Sequence, residues 1–450
     1  MRETSVGEIA RIVGGRLHGS GEDAAVGVTK DSRDDCAGLL YAAIPGSNAD
    51  GHDFIGTAFE KGAVCALANR VPQGETRPVI VVPDVENAIR TLAAAYRASL
   101  SIPVVGITGS VGKTTTKEMT AAVLSQRYRV HKTEKNFNNE LGVPLTLLKI
   151  EPEDEVSVVE MGISDFGEMT RLAAMARPTM AVYTVIGHSH LEKLRDRQGV
   201  FTAKTEMLPF LPENGTVFAN GDDDLLRAMA CPQKKVFYGV GSGVLRAENI
   251  APEGLSGTRC DIVGLGRRIA VNIPAYGRHM VYAALAGASV GIELGLTDEQ
   301  IAAGIEGYVP VGRRSNPVKV GDIVLIDDCY NSNPDSVKSA VDSLSILPGR
   351  KVCVLGDMLE LGEDTRGEHR RVGEYAALNG ADVVITAGPL SADISSAAES
   401  AGVAARHFAD ISALINALPE LLQPGDNVLV KASHSMCFDR VSEAIKEMKS

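Results

Sequence analysis

Three observations predict a multidomain α/β protein. Between about residues 103 and 208, short apolar runs alternate with stretches at helical spacing, the cadence of a mostly parallel sheet covered on both faces. A second series of the same kind begins near residue 323, beyond a Pro/Gly-containing segment. A chain of 450 residues is also too long for one hydrophobic core, which sets the expectation at two to four domains.

Taken in order, residues 38–44, 63–67 and 79–82 form short apolar runs between polar turns, followed by an Ala-rich helix from about 84 to 100. Residues 101–103 read as a linker. Strands are then expected at 103–107, 156–160 and 180–186, and helices at 113–126, 167–176 and 198–208. A Gly-rich, β-leaning patch covers 239–274 and precedes helices at 278–290 and 298–306. Residues 308–312 form a second candidate linker. Beyond it, strands are expected at 323–327, 351–355, 382–386 and 427–431. The expected domains are therefore 1–100, 101–311 and 312–450. No internal repeat or low-complexity segment interrupts them.

Composition narrows the class. With 44% apolar and 23% charged residues the chain is globular, neither disordered nor fibrous. A net charge of −12 argues against nucleic acid or an anionic membrane as the main partner, so an anionic substrate would need local lysines, arginines and helix N-termini. The seven cysteines are scattered without a Cys-x-x-Cys pair, which points to reduced thiols rather than a disulfide frame or zinc site. No signal-peptide core or membrane-length apolar run is present, and the expected location is the cytoplasm.

The most informative stretch is 106–119. An apolar strand runs into Thr108-Gly109-Ser110-Val111-Gly112-Lys113-Thr114-Thr115 and then into a helix. Glycines between strand and helix let backbone N–H groups converge on an anion while the helix directs its positive end at it. Lys113 would reach the terminal phosphates and the Thr114 hydroxyl is placed for Mg²⁺. Ile107 stands where the general motif has its first glycine, so the match is to the shorter form Thr-Gly-x-x-Gly-Lys-Thr. The reading is ATP binding. Glu160, His188, His190, Asp327, Asp328 and Asp357 fall at or just after expected strand ends, where open parallel sheets bind ligands.

These blocks carry a resemblance. The loop 108–115, the run 135–148 with Asn138 and Asn139, Glu160-Met-Gly-Ile, Gly167-Glu-Met, Gly187-His-Ser-His-Leu-Glu192 and Ala203-Lys204 follow one another as in the Mur ligases. Those are ATP-dependent amide ligases that assemble the peptidoglycan precursor peptide. The blocks 327–334 and 355–362 resemble the branch that adds D-alanyl-D-alanine, and Asp31-Ser-Arg33 with Asp50-Gly51-His52-Asp-Phe54 is shared with a neighbouring branch. The resemblance implies a small α/β UDP-binding domain, a central phosphate-loop sheet and a Rossmann-like C-terminal domain. It implies UDP-N-acetylmuramoyl-tripeptide and D-alanyl-D-alanine as substrates and ATP with two Mg²⁺; a monomer is expected. In that mapping Lys113 holds the β and γ phosphates, Thr114 one Mg²⁺, and Glu160 and His190 a second. Lys204 matches a lysine that CO₂ carbamylates to support the second metal, which requires a neutral amine. Arg313 matches an arginine that stabilises the transferring phosphoryl group. Ser32, Arg33, Asp50, Gly51 and His52 would contact the UDP part, and Asn138 and Asn139 the muramoyl peptide. Asn331 and Asn333 would line the nucleotide or acceptor side.

Some positions depart from the family pattern. The adenine-side helix usually opens His-Asn with a second Asn three residues on, whereas here His279 is followed by Met280 and Ala283. A thioether or methyl cannot replace an amide's hydrogen bonds, so adenine contacts are expected from His279, Asn220, Asp328 or backbone groups. Val185 replaces an Asn, and Lys431-Ala-Ser-His434 ends in a titratable group where the family has arginine. Two other readings compete with the ligase: a Mur ligase adding a single third residue, and a phosphate-loop ATPase without ligase chemistry. The Asn138-Asn139 and 355–362 blocks disfavour the first, and the N-terminal motif and Lys204 the second.

Overall fold

The computed structural model describes residues 1–46, 49–312 and 316–448. Three main sheets follow one another along the chain. The first has five strands in the spatial order Arg16–His18, Val79–Val81, Cys65–Ala68, Leu39–Ala42, Gly27–Thr29, parallel except at the Arg16–His18 edge. The three apolar runs of this region are its three central strands. The helix Val85–Ala98 follows, capped by Asp84, whose side chain accepts from the Asn87 N–H.

The second sheet has nine strands, and Val104–Thr108 lies inside it between the parallel strands Val156–Glu160 and Met180–Tyr183. Every residue of these three strands is buried, as expected where helices cover both faces. The helices Lys113–Leu124, His279–Glu293 and Asp298–Glu306 share a core with one face. The opposite face shares a core with Gly142–Leu148, Glu168–Ala176 and the N-terminal helix Val85–Ala98. The Gly-rich patch is an antiparallel meander, Leu245–Pro252, Thr258–Gly264 and Arg267–Ile273, that extends this sheet at one edge.

The third sheet has the order Asn316–Val320, Ile323–Asp327, Asn427–Lys431, Lys351–Gly356, Val383–Ala387, Ala404–Phe408. All pairings are parallel except the first. The expected α/β class with parallel-rich sheets is the one observed.

Two elements end earlier than periodicity predicts. The strand expected to reach 186 stops at Tyr183, because Thr184 and Val185 turn to brace the glycine loop: the Thr184 hydroxyl donates to the Val111 carbonyl (2.6 Å) and the Ser110 N–H donates to Val185 O (2.8 Å). The helix expected to reach 208 ends at Thr205, and a 3₁₀ turn, Leu208–Phe210, follows at Pro209, which has no N–H to continue an α-helix.

The junction near residue 100 is firmly packed. Arg97 is 5% exposed, and its guanidinium donates to the carbonyls of Ala176 (2.9 Å), Leu100 (2.8 Å) and Arg177 (3.2 Å). Tyr96 donates to Ile150 O at 2.6 Å.

Candidate functional site

The glycine loop takes its shape from backbone that only glycine adopts without strain. Gly109 has φ +152°, and a Cβ there would lie 1.9 Å from Thr184 Oγ1; Gly112 has φ +83° and caps the helix Lys113–Leu124 without a side-chain bond. The first-turn N–H groups of that helix therefore point into the loop with no side-chain acceptor at the cap. Lys113 Nζ donates to Gly109 O at 2.8 Å, folding the cation back over the loop. The Ser110 hydroxyl ties the loop to Gly187 O (3.2 Å) and Ser189 Oγ (3.0 Å).

Beside the loop, Glu160 ends its strand with 1% of its surface exposed. Its carboxylate accepts from Thr114 Oγ1 (2.9 Å) and Asn138 Nδ2 (2.7 Å), and Lys117 Nζ stands 3.8 Å away. Lys117 is itself fully buried, pairing with Glu118 at 3.0 Å and donating to Thr133 O at 2.7 Å. A buried carboxylate is tolerated when surrounded in this way.

His190 has φ +54° and its Nδ1 lies 2.5 Å from Glu360 Oε2; burial lowers its pKa from the ordinary histidine value, with Glu360 opposing. Lys204, on the helix Arg197–Thr205, is 1% exposed, and its pKa falls well below the lysine range through burial first and the Lys113 charge second, with Glu168 opposing. Burial therefore favours the neutral amine at this position.

A cavity of about 700 Å³ joins these groups to the C-terminal region. Of the residues singled out from the sequence, Ser110, Val111, Gly112, Lys113, Thr114, Thr115, Asn138, Asn139, Glu160, His190, His279, Asp328, Asn331 and Asn333 line it. Asp328 follows its strand and accepts from Lys431 Nζ at 2.6 Å, and that amine also donates to Asn331 O at 2.9 Å. Asn333 caps the helix Pro334–Ser345 in a reciprocal pair with Ser336. His279 opens its helix; its Nδ1 is buried without a hydrogen-bond partner, as is the Ser332 hydroxyl on the same wall, and burial lowers the His279 pKa. Orphaned polar atoms on a cavity wall are what a polar ligand would satisfy.

Met280 and Ala283 are 4% and 3% exposed and belong to the sheet-facing core, so on this helix His279 alone lines the cavity. Val185 contributes its carbonyl to the loop. His434 sits against Tyr330, with ring centroids 5.7 Å apart.

Other expected residues lie elsewhere. Asn220 ends the strand Thr216–Asn220 outside the cavity lining, and its side chain accepts from the Asp222 N–H. Gly109 sits at the loop's base and is not itself a lining residue. Ser32, Arg33, Asp50, Gly51 and His52 belong to the N-terminal region, apart from the cavity. There Arg33 forks onto Asp31 and holds its carboxyl at about 2. Asp50 accepts from the His52 N–H (3.0 Å) and lies 2.6 Å from its Nδ1, while His52 Nε2 accepts from the Asn69 N–H (3.0 Å). A Cβ on Gly51 would meet Ile44 O at 2.6 Å, so this turn closes tightly on the strand behind it. Arg313 falls outside the described residues.

Sequence reasoning passed over Lys117, Lys431, Tyr330 and Glu360 as site components. Lys431 and Glu360 were within blocks already singled out; Lys117 gave no signal, since a lysine in Thr-Thr-Lys-Glu reads as a solvated helix face.

A glycine loop at the head of a buried parallel strand, with a buried carboxylate and hydroxyl beside it and a second α/β sheet closing the cavity, defines a multidomain nucleotide-dependent enzyme. The matches to known proteins agree. Residues 25–97 match the Mur ligase family catalytic domain, 107–291 the Mur ligase middle domain, and 313–434 the Mur ligase glutamate ligase domain. The UDP-N-acetylmuramoyl-tripeptide–D-alanyl-D-alanine ligase of Bacillus subtilis (strain 168) is 37% identical, with 100% of this chain and 99% of that protein covered. The crystal structure of MurF from Acinetobacter baumannii superposes with a TM-score of 0.90 at 27% identity, covering 99% of each chain. MurF ligase from Thermotoga maritima in complex with ADP does so with a TM-score of 0.81 at 28% identity, over 94% of this chain and 97% of that one. The chain belongs to the Mur ligase family.

Proposed function

We propose that the chain is an ATP-dependent ligase that joins D-alanyl-D-alanine to UDP-N-acetylmuramoyl-tripeptide, acting as a monomer in the cytoplasm. The observation that carries this is the single cavity in which Lys113, Glu160 and His190 of the central sheet face Asp328 and Asn331 of the C-terminal sheet. One cavity built from two sheets can hold a triphosphate against a peptide carboxylate. The proposed division is 1–100 for the UDP-sugar, 101–311 for ATP and 312–450 for the dipeptide. It is supported by the succession of the three sheets.

A free carboxylate is a poor electrophile. Transfer of the γ-phosphoryl group of ATP to the tripeptide's terminal carboxylate gives an acyl phosphate. The dipeptide amine then attacks that carbonyl and phosphate departs, leaving the amide. Gly109 to Thr115 cradle the phosphates through backbone N–H groups, and Lys113 offsets the charge that repels the incoming carboxylate. Thr114 and Glu160 supply hard oxygen donors 2.9 Å apart, which suit Mg²⁺; His190 lines the same cavity. When bound, Mg²⁺ would neutralise phosphate charge. Lys204, whose burial favours the neutral amine, would take up CO₂ as a carbamate with loss of a proton and so turn a cation-forming position into an anionic one. Arg313 would stabilise the transferring phosphoryl group. His279 and Asp328 serve the nucleotide, with Asn220 as a lesser candidate, and Asn138 and Asn139 the muramoyl peptide. Asn331 and Asn333 serve the acceptor side, while Ser32, Arg33, Asp50, Gly51 and His52 form the UDP contact.

The test is phosphate release and peptide formation with both acceptor types, the lysine and the diaminopimelate tripeptide. Release that needs both the UDP-tripeptide and D-alanyl-D-alanine is expected. Hydrolysis indifferent to either, with no new amide, overturns the reading. At limiting Mg²⁺ the rate should rise with bicarbonate, and short carboxylic acids should rescue Lys204→Ala. Full activity of that variant without rescue removes the carbamate.

A further inference from the structure

Two carboxylates from the C-terminal region grip the loop that carries His190. Asp335, in the first turn of the helix Pro334–Ser345, accepts from the His188 N–H at 2.5 Å, and a Cβ on Gly187 would lie 2.3 Å from its Oδ2. Residue 187 must be glycine for that approach. Glu360 Oε2 lies 2.5 Å from His190 Nδ1, and the Glu360 carbonyl accepts from the Glu192 N–H at 3.3 Å. Glu360 and His190 both hold left-handed backbone, φ +62° and +54°, and neither is glycine. Such conformations cost energy and persist where the surroundings over-determine them. Here they face each other across the junction of two sheets.

We infer that Glu360 is a positioning residue for His190, setting its tautomer and ring orientation so that the central region's ligand set is complete only when the C-terminal region is docked. This rests on the proposed role of His190 as a metal ligand. A carboxylate at Nδ1 accepts the ring proton there, and the neutral ring then carries its lone pair on Nε2. Ligating histidines commonly have their second nitrogen held by a carboxylate in this way, and loss of that partner weakens metal binding by about ten- to a hundredfold. The Glu360 side chain is 58% exposed, so the pair contributes little to folding and its removal leaves a folded protein. Its effect is on orientation.

The experiment compares Glu360→Ala, Glu360→Gln and Asp335→Ala in the full chain. Imidazole ¹⁵N spectra, with the His190 signals identified by their loss in His190→Gln, should show the Nδ1–H tautomer in the wild type and a shift toward the Nε2–H form in Glu360→Ala. The Mg²⁺ concentration for half-maximal activity should rise about tenfold in Glu360→Ala. It should stay within about threefold of wild type in Glu360→Gln, whose amide oxygen still accepts from Nδ1–H. Asp335→Ala, which loosens the same junction without touching His190, should keep the wild-type tautomer. An unchanged tautomer in Glu360→Ala overturns the inference. So does an Asp335→Ala variant that raises the Mg²⁺ requirement as much as Glu360→Ala while keeping the wild-type tautomer, since docking and not the His190 ring would then set the requirement. The tautomer is read without turnover, so a wild-type chain that forms no peptide bond would sink the proposed function separately.

Discussion

Replacing Gly109 by alanine tests the phosphate loop most directly. The new Cβ would sit 1.9 Å from Thr184 Oγ1 and 3.1 Å from Thr184 Cβ, at a backbone angle of +152° that side chains avoid. Backbone strain of this kind costs about 1–3 kcal/mol. Relieving the contact requires Thr184 to rotate, which breaks its 2.6 Å bond to the Val111 carbonyl and costs a further ~0.5–1.5 kcal/mol. The combined penalty is about 1.5–4.5 kcal/mol. If the free loop relaxes to another shape, the penalty appears in nucleotide binding as a weakening of about 10- to 2,000-fold. If the loop keeps its shape, it appears as lost stability. Titration calorimetry with ADP and thermal melts on the same sample capture both. Adding Thr184→Ala removes the hydroxyl but leaves the φ strain and the 3.1 Å contact, so recovery should be partial. A Gly109→Ala protein that binds ADP within about twofold of wild type and melts at an unchanged temperature refutes the cradle.

Two further perturbations address the buried charges. Lys204 binds a proton more weakly folded than unfolded, so between its lowered folded pKa and the ordinary lysine value wild-type stability rises with pH. Lys204→Met lacks this term: it should be the more stable protein at pH 7, with the gap narrowing as pH rises, whereas parallel curves would contradict a buried neutral amine. Asn138→Asp places a second carboxylate where an amide now donates to Glu160 at 2.7 Å. It should cost about 1–3 kcal/mol without metal, and Mg²⁺ should raise its melting temperature more than that of wild type; equal Mg²⁺ responses would show that the 138 side chain does not face the metal position.

Much of the fold was legible because its periods are clean. Val104–Thr108, Val156–Glu160 and Asn427–Lys431 are short apolar clusters in an alternating strand and helix series, and Val85–Ala98 and Asp298–Glu306 carry side-chain caps that announce their starts. Gly142–Leu148 was not legible as a helix. All seven of its residues are buried, so its sequence shows no polar face, and Pro144 argues against a helix unless it falls in the first turn, as it does. The short strand Thr216–Asn220 was missed as well: five buried residues do not establish a period, and Val156–Glu160, equally short, was legible only from its place in the alternating series. In the site, residues that act through local backbone, such as the glycine loop, could be read from the sequence. Those defined by a distant partner could not: the His190–Glu360 contact spans 170 positions, and the burial of Lys117 depends on Glu118, Thr133 and Glu160 meeting around it.

The two junctions of the chain differ in kind, and that difference predicts where it moves. Ile89 and Leu92 of Val85–Ala98 share one continuous core with Val143 and Leu147 of the central region, and Arg97 donates there to the carbonyls of Ala176 and Arg177. Separating these surfaces would expose several aliphatic side chains at about 1.5–3 kcal/mol each. The C-terminal sheet's cores take in one central residue, Tyr276, and its grip on residues 187–192 is polar, through Asp335 and Glu360. Partly exposed pairs of that type contribute about 0–1 kcal/mol each. Opening at the second junction, which exposes Tyr276 and breaks these pairs, therefore costs less than opening at the first. Amide exchange should slow in 187–192 and 357–362 when nucleotide and both substrates are present, while Val85–Ala98 stays protected throughout. Exchange in Val85–Ala98 that rises and falls in step with the 187–192 loop would mean that the first junction opens as well, and the assignment of motion to the polar junction would be wrong.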